Sequence, residues 1–327
     1  MSSLHLVDPE LLPLLAMALE WNAETLNVQR NQMEHARQMA IAAPLPTNVV
    51  VREMNIPGAD GQPPVSILVC NPSQRASRVP AVLHIHGGGY IAGSAQLYQP
   101  QLAKLAGQLG AVIVSVNYRL APEAAFPAAL EDCYAALKWL STEAESLSVD
   151  SSRIAVAGES AGGGLAAALA ILARDRGEIP LAAQMLTFPM IDDRTGSQND
   201  AGSFAGEFVW TAKSNRYAWE ALLGRPLSVG ETSPYAAAAR CENLAGLPPT
   251  FIAVGALDLF FEENLEYARR LARAGVPVDL KVYPGAVHAF MLMENSRLAK
   301  QYSADLRTAY ERAFTKQGSI PDHPTHA

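Results

Sequence analysis

The sequence predicts an α/β chain built on a mostly parallel, doubly wound sheet with helices on both faces. Three observations point there. Short apolar runs that read as strands, over 80–86, 111–116, 154–158, 183–187, 250–254 and 278–283, alternate with helix-forming stretches over 97–109, 127–140, 164–172 and 262–274. Such alternation feeds crossover connections and hence a parallel sheet. One junction in the series is Gly158-Glu159-Ser160-Ala161-Gly162-Gly163, a glycine-flanked serine between strand and helix. That is the context of a nucleophile elbow, a sharp turn that holds the serine in a strained conformation at the carboxyl end of a sheet. Finally, the alternation breaks between residues 192 and 240, which reads as an insertion with its own aromatic helix over 211–223, carrying Tyr217 and Trp219.

The remaining elements follow in order. Residues 1–45 are amphipathic and read as helical, with a second run over 24–42 placing Met33, Ala36, Met39 and Ala40 at helical spacing. Such helices either pack on the core or cover the mouth of a site. Strands over 49–54 and 65–70 flank the turn-rich Pro57-Gly58-Ala59-Asp60-Gly61 and read as a hairpin. After residue 318 a loose tail is expected, with His323 and His326 solvated.

Composition narrows the function. The chain has 327 residues, 49% hydrophobic, and a net charge of −7, enough for one large α/β domain with a smaller appendage. It has no long basic run, so nucleic acid is not an expected partner. Cys70, Cys133 and Cys241 lack metal-ligand spacing and a disulfide framework, and read as reduced thiols. The apolar patch over 11–19 contains Pro13 and ends at Glu20, with no basic residue before it and no small-residue cleavage site after it. It is read as neither signal peptide nor spanning helix, so no membrane insertion is expected and the expected location is cytoplasmic.

A serine hydroxyl is a weak nucleophile at neutral pH. It needs a base, the base needs an orienting group, and the intermediate needs donors for its oxyanion. An elbow serine is followed in chain order by an acid and then a histidine, each beyond a later strand. Asp258 follows the strand over 250–254, and His288 lies just past the strand over 278–283. His288 is the only histidine between Ser160 and the tail. Taken alone, Asp258 also reads as a helix N-cap. Glu262 or Glu263 could orient the base instead, although both sit a turn into the helix. Upstream, His86-Gly87-Gly88-Gly89 follows a strand. Backbone amides without neighbouring Cβ atoms can approach a ligand closely there, the expected second half of an oxyanion hole opposite the Ala161 amide. His86 is expected to pin this loop by hydrogen bonds, and His84 to be a satisfied core histidine.

His86-Gly87-Gly88-Gly89-Tyr90, Asn117-Tyr118-Arg119-Leu120-Ala121-Pro122-Glu123, Phe126-Pro127-Ala128-Ala129-Leu130-Glu131-Asp132 and the elbow together resemble the bacterial hormone-sensitive-lipase-like esterases, family IV of the lipolytic α/β hydrolases. The agreement in order and spacing runs from about residue 60 to residue 310. The resemblance implies the α/β-hydrolase fold and a triad of Ser160, Asp258 and His288. It also implies oxyanion donors at Gly88, Gly89 and Ala161, with loop support from His86, Gly87 and Glu159. It divides the chain into N-terminal helices belonging to a cap (1–45), a catalytic domain in two parts (46–191 and 241–317), a cap insertion (192–240) and a tail (318–327). It implies short- or medium-chain acyl esters as substrates, no metal or organic cofactor, and by analogy a homodimer through the last strand. Tyr118, Arg119 and Glu123 read as structural supports. Leu12, Leu15, Met17, Phe204, Phe208, Val209 and Trp210 are candidate cap contacts.

This chain departs from the family pattern at three places. Glu159 stands where aspartate is commoner, Leu259 follows the acid where proline is usual, and Ala289 follows the histidine where glycine is usual. The same triad could serve an amidase or lactonase. A non-catalytic receptor on this scaffold would lack a working base, whereas His288 is present.

Overall fold

The computed structural model describes residues 2–16, 20–73, 78–196 and 204–315. Its centre is an eight-stranded sheet in the order β1-β2-β4-β3-β5-β6-β7-β8. The strands are β1 (Val49–Ile56), β2 (Val65–Pro72), β3 (Val79–Ile85), β4 (Val112–Asn117), β5 (Val149–Glu159), β6 (Ala183–Thr187), β7 (Thr250–Gly255) and β8 (Val278–Tyr283). The hairpin β1–β2 and the β2–β4 pair are antiparallel; every later pair is parallel. Side chains alternate between faces along each strand, so neighbours enter different cores. Ile67 and Leu83 pack on one side, Leu68 and Val82 on the other.

Helices cover both faces. α4 (Ala128–Thr142), α5 (Ala161–Arg176), α6 (Ala212–Leu223) and α7 (Phe261–Arg273) contribute to the first core. The second core takes α3 (Gln99–Leu109), α8 (Arg297–Phe314) and the short α1 (Leu12–Leu15). α2 (Leu26–Ala42) completes the set.

α5 starts earlier than its composition suggests. Gly162, Gly163 and Gly164 weaken a helix by propensity, yet all lie inside it. Tertiary approach explains this. A Cβ on Gly162 would stand 2.0 Å from the Ile85 carbonyl oxygen, and one on Gly164 would stand 2.0 Å from that of Met190. The glycines let α5 press against the ends of β3 and of the chain leaving β6, which lodges the elbow in the sheet.

The N-terminus corrects the helical expectation over 1–45. Its first part forms 3₁₀ turns at Ser3–Leu6 and Pro9–Leu11 before the four-residue α1, and α2 supplies the long helix. Pro9 and Pro13 lack backbone donors, which favours short turns started by the Ser2 and Asp8 side-chain caps. Met17 and the tail with His323 and His326 lie outside the described residues. α8 is an element the sequence reading did not identify. Among the described residues no helix is long and apolar enough to cross a membrane. The three cysteines are buried and unpaired, and burial pushes the Cys70 thiol up to about 12.

Polar ties fix the loops near the sheet's carboxyl edge. Arg30 on α2 donates to the carbonyls of Ile91 and Ala121, both at 2.8 Å, and pairs with Glu123. Tyr118 donates its hydroxyl to the His86 carbonyl at 3.0 Å. Asp132, 2% exposed, accepts from the Arg119 backbone amide at 2.9 Å and from its guanidinium at 2.8 Å. Removing this carboxylate leaves the part-buried Arg119 amide without this acceptor and the guanidinium with Gln62 and the Ala128 carbonyl. Asp132→Ala is expected to destabilise the fold by about 1–3 kcal/mol, the scale of leaving a buried polar group without its partner, read as a lowered thermal midpoint; an unchanged midpoint would contradict this role.

Candidate active site

The site assembles where β5, β7 and β8 end. Ser160 caps the start of α5 with φ 55° and ψ −121°. This conformation is costly for a non-glycine residue and persists only where its surroundings over-determine it. They do so here: the Ser160 amide donates to Thr187, and its carbonyl accepts from Gly164 and from Met190, all at 2.9 Å.

His288 reaches Ser160 from the loop after β8. Its Nε2 lies 3.0 Å from the Ser160 Oγ and its Nδ1 2.8 Å from the Asp258 Oδ2. An ionised carboxylate only accepts, so Nδ1 carries the proton and Nε2 is left to accept from the serine hydroxyl. Ser160, Asp258 and His288 are 6%, 0% and 5% exposed, so the chain of bonds is shielded from water.

Asp258 meets the imidazole but is not the N-cap of α7, which is Phe260. Oδ2 meets the imidazole, while Oδ1 accepts from the Phe260 amide at 2.9 Å, just before α7. One carboxylate thus bonds both the imidazole and the turn that leads into α7. Glu262 is exposed, and Glu263 faces elsewhere. Glu263 accepts from the Ile191 and Asp192 amides at 2.8 and 3.3 Å and from the Thr195 hydroxyl, tying down the start of the insertion. Burial pushes its carboxyl well above the usual range.

The glycine loop is built from His86 outward. His86 Nδ1 donates to the Gly87 carbonyl at 2.8 Å, and its ring stacks on Tyr118 with centroids 4.2 Å apart. Burial lowers His86 to about 3, so this ring is neutral at physiological pH. The Gly87 amide donates to the Tyr98 hydroxyl at 3.3 Å. The Gly88 carbonyl accepts from Ile91 and Ala92 at 3.1 and 3.0 Å and is thereby turned into the loop. Among the described residues, nothing accepts a hydrogen bond from the amides of Gly88, Gly89 or Ala161. Two of these are neighbours in the glycine loop, and the third, next to the serine, opens α5, where the helix dipole favours negative charge.

The departures from the family pattern acquire physical settings. Glu159 accepts from His84 Nε2 at 2.9 Å, and His84 Nδ1 bonds the Ser115 hydroxyl at 2.8 Å. His84 is thus a satisfied core histidine whose partner is the elbow's own carboxylate. Leu259 packs against Gly206, where a Cβ would stand 2.5 Å from its Cδ1. Ala289 has φ 60°, a left-handed conformation that glycine adopts more cheaply.

The apolar contacts expected of the insertion divide. Trp210 is buried, Phe208, Val209 and Leu15 are partly buried against the second core, and Leu12 and Phe204 face solvent at 44% and 49% exposure. Around His288 stand Phe188 at 4.6 Å, Phe260 at 5.3 Å and Trp210 at 6.2 Å between ring centroids. Phe188 and Phe260 escaped the sequence reading; each follows closely on β6 or β7, the strand ends where site residues gather.

With this geometry in place, the chain can be set beside known proteins. A family model described as an alpha/beta hydrolase fold matches residues 82–292. The chain is 34% identical to Carboxylesterase NlhH of Mycobacterium tuberculosis over 294 residues, 86% of this chain and 89% of that one. It is 38% identical to Esterase LipI of the same organism over 219 residues, 66% of this chain and 67% of that one. Among solved structures, Bacterial Heroin Esterase aligns with a TM-score of 0.89 and 36% identity, covering 96% of this chain and 99% of that one. The chain belongs to the hormone-sensitive-lipase-like (family IV) branch of the α/β-hydrolase superfamily, a family of serine carboxylesterases.

Proposed function

We propose that this chain is a serine carboxylesterase acting on short- to medium-chain acyl esters through an acyl-enzyme on Ser160. The observation that carries the reading is the unbroken bond series from Asp258 through His288 to the Ser160 hydroxyl, beside amides of Gly88, Gly89 and Ala161 that have no acceptor among the described residues. In the first half-reaction His288 Nε2 takes the serine proton as Oγ attacks the ester carbonyl. Asp258 stabilises the imidazolium and fixes its tautomer. The amides of Gly88, Gly89 and Ala161 bind the oxyanion as it forms. Collapse of the intermediate breaks the bond to the alkoxy oxygen, which leaves as the alcohol with the proton from His288. Water, deprotonated by the same imidazole, then attacks the acyl-serine and releases the acid.

The N-terminal helices and the 192–240 insertion act as the cap. The near-complete burial of the triad, with Trp210 of the insertion 6.2 Å from His288, favours single ester molecules over an oil surface. The buried free thiols suit a reducing, cytoplasmic setting. A homodimer would form through β8, the last strand at the sheet edge.

A binding-only protein has no use for a base within hydrogen-bond reach of the hydroxyl, and this weighs against a receptor role. With a chromogenic butyrate ester, Ser160→Ala is expected to lose about 10⁴-fold or more in kcat, as loss of a nucleophile does. A variant keeping more than about a hundredth of the activity would overturn the assignment. In an acyl series, kcat/KM should decline beyond medium chains; a maximum at emulsified long-chain triglycerides would contradict the proposed substrate range.

A further inference from the structure

We infer that Trp210 forms the wall on the leaving-group side of the pocket, restricting the alcohol part of the ester, and that Asn215 positions it. This rests on the esterase reading above and deepens it.

The indole is driven onto the reaction centre by its own backbone. The Trp210 amide donates to the Phe208 carbonyl at 2.8 Å, closing a three-residue turn around Val209. Val209 has φ 64°. A γ-turn with positive φ at its middle residue is the strained form, and a β-branched side chain is the least suited to it. Strain at a site edge is a pointer to function. Its effect here is to aim the next side chain inward. A Cβ on Gly89 would stand 2.4 Å from Trp210 Cη2 and 3.1 Å from its Cζ2. The far edge of the six-membered ring therefore rests on the oxyanion loop, while the ring system lies 6.2 Å from the imidazole, tilted by 37°.

The ring is held from behind. Its Nε1 donates to Asn215 Oδ1 at 3.2 Å, and Asn215 Nδ2 donates to the Thr195 carbonyl at 2.9 Å. Asn215 is fully buried, so its amide has no water to turn to. The loop itself is fastened on both sides: the Gly206 amide donates to Leu257 at 3.0 Å, and Glu207 accepts from the Ser2 hydroxyl and the Ser3 amide, each at 2.6 Å. Trp210 is thus a fixed wall.

Reaction geometry says which side it bounds. The ester's carbonyl oxygen must point at the amides of Gly88, Gly89 and Ala161. The alkoxy oxygen must sit where His288 Nε2 can protonate it. A ring that touches Gly89 and faces His288 flanks the carbonyl on the alkoxy side. The acyl chain leaves in another direction.

The test uses two ratios of kcat/KM on the full chain: 2-naphthyl acetate over ethyl acetate reports the alcohol side, and ethyl hexanoate over ethyl acetate reports the acyl side. Each ratio cancels the fraction of folded enzyme, so a merely structural defect leaves both unmoved. Trp210→Ala is expected to raise the alcohol ratio about tenfold or more and to move the acyl ratio less than about threefold, the range that apolar pocket volume commands. Asn215→Leu, which keeps the indole but unpins it, should move the alcohol ratio the same way by a smaller factor. Trp210→Phe serves if the alanine variant does not fold, and should fall between the alanine variant and wild type. An acyl ratio that shifts as much as the alcohol ratio, or neither ratio shifting in the tryptophan variants, overturns the wall; an unmoved ratio in Asn215→Leu overturns the positioning role. Failure of the esterase reading looks different, because wild type itself would then show no Ser160-dependent ester turnover.

Discussion

The bond between the Ser160 hydroxyl and His288 is the constraint on which the rest of the molecule bears. It is a contact of 3.0 Å between side chains 128 positions apart in the chain. The parallel run of β5, β6, β7 and β8 makes it by bringing the loops after β5, β7 and β8 out at one edge of the sheet. The glycines of α5 serve this contact by letting the helix close on β3. The Asp258 carboxylate serves it twice, through the imidazole and through the turn that leads into α7.

Such a site is expensive to hold. Ser160, Val209 and Ala289 all carry positive φ, and Phe188 joins them at 35°. A buried carboxylate and two buried histidines stand close by. The structure offsets these costs locally, with a specific partner for each group: Glu159 for His84, the Gly87 carbonyl for His86, and the Phe260 amide for Asp258. Among the described residues the Gly88, Gly89 and Ala161 amides are the exception, and in the proposed mechanism they bind the oxyanion.

Local patterns in the sequence carried much of this. The elbow is legible because glycines bracket a serine between a strand and a helix, and the hairpin because a turn-rich run separates two apolar ones. Asp258 and His288 are legible because chain order and strand ends restrict the choice. α8 escaped: its buried residues Leu298, Tyr302, Tyr310 and Phe314 recur at helical spacing, but a polar face dilutes the signal. The N-terminal turns were misread because Pro9 and Pro13 interrupt a pattern that otherwise looks helical. What no local pattern contains is contact between distant segments. That Trp210 lies on Gly89, or that His84 holds Glu159, follows from strand register and loop packing, which emerge only with the fold.

The account stands or falls on an activated hydroxyl at one position. Covalent labelling with an organophosphonate, followed by peptide mapping, reads this directly. The account predicts a single adduct, on Ser160, formed rapidly in the wild-type chain and lost or greatly slowed in His288→Ala. No adduct, an adduct on another residue, or labelling of Ser160 that is indifferent to His288 would contradict it.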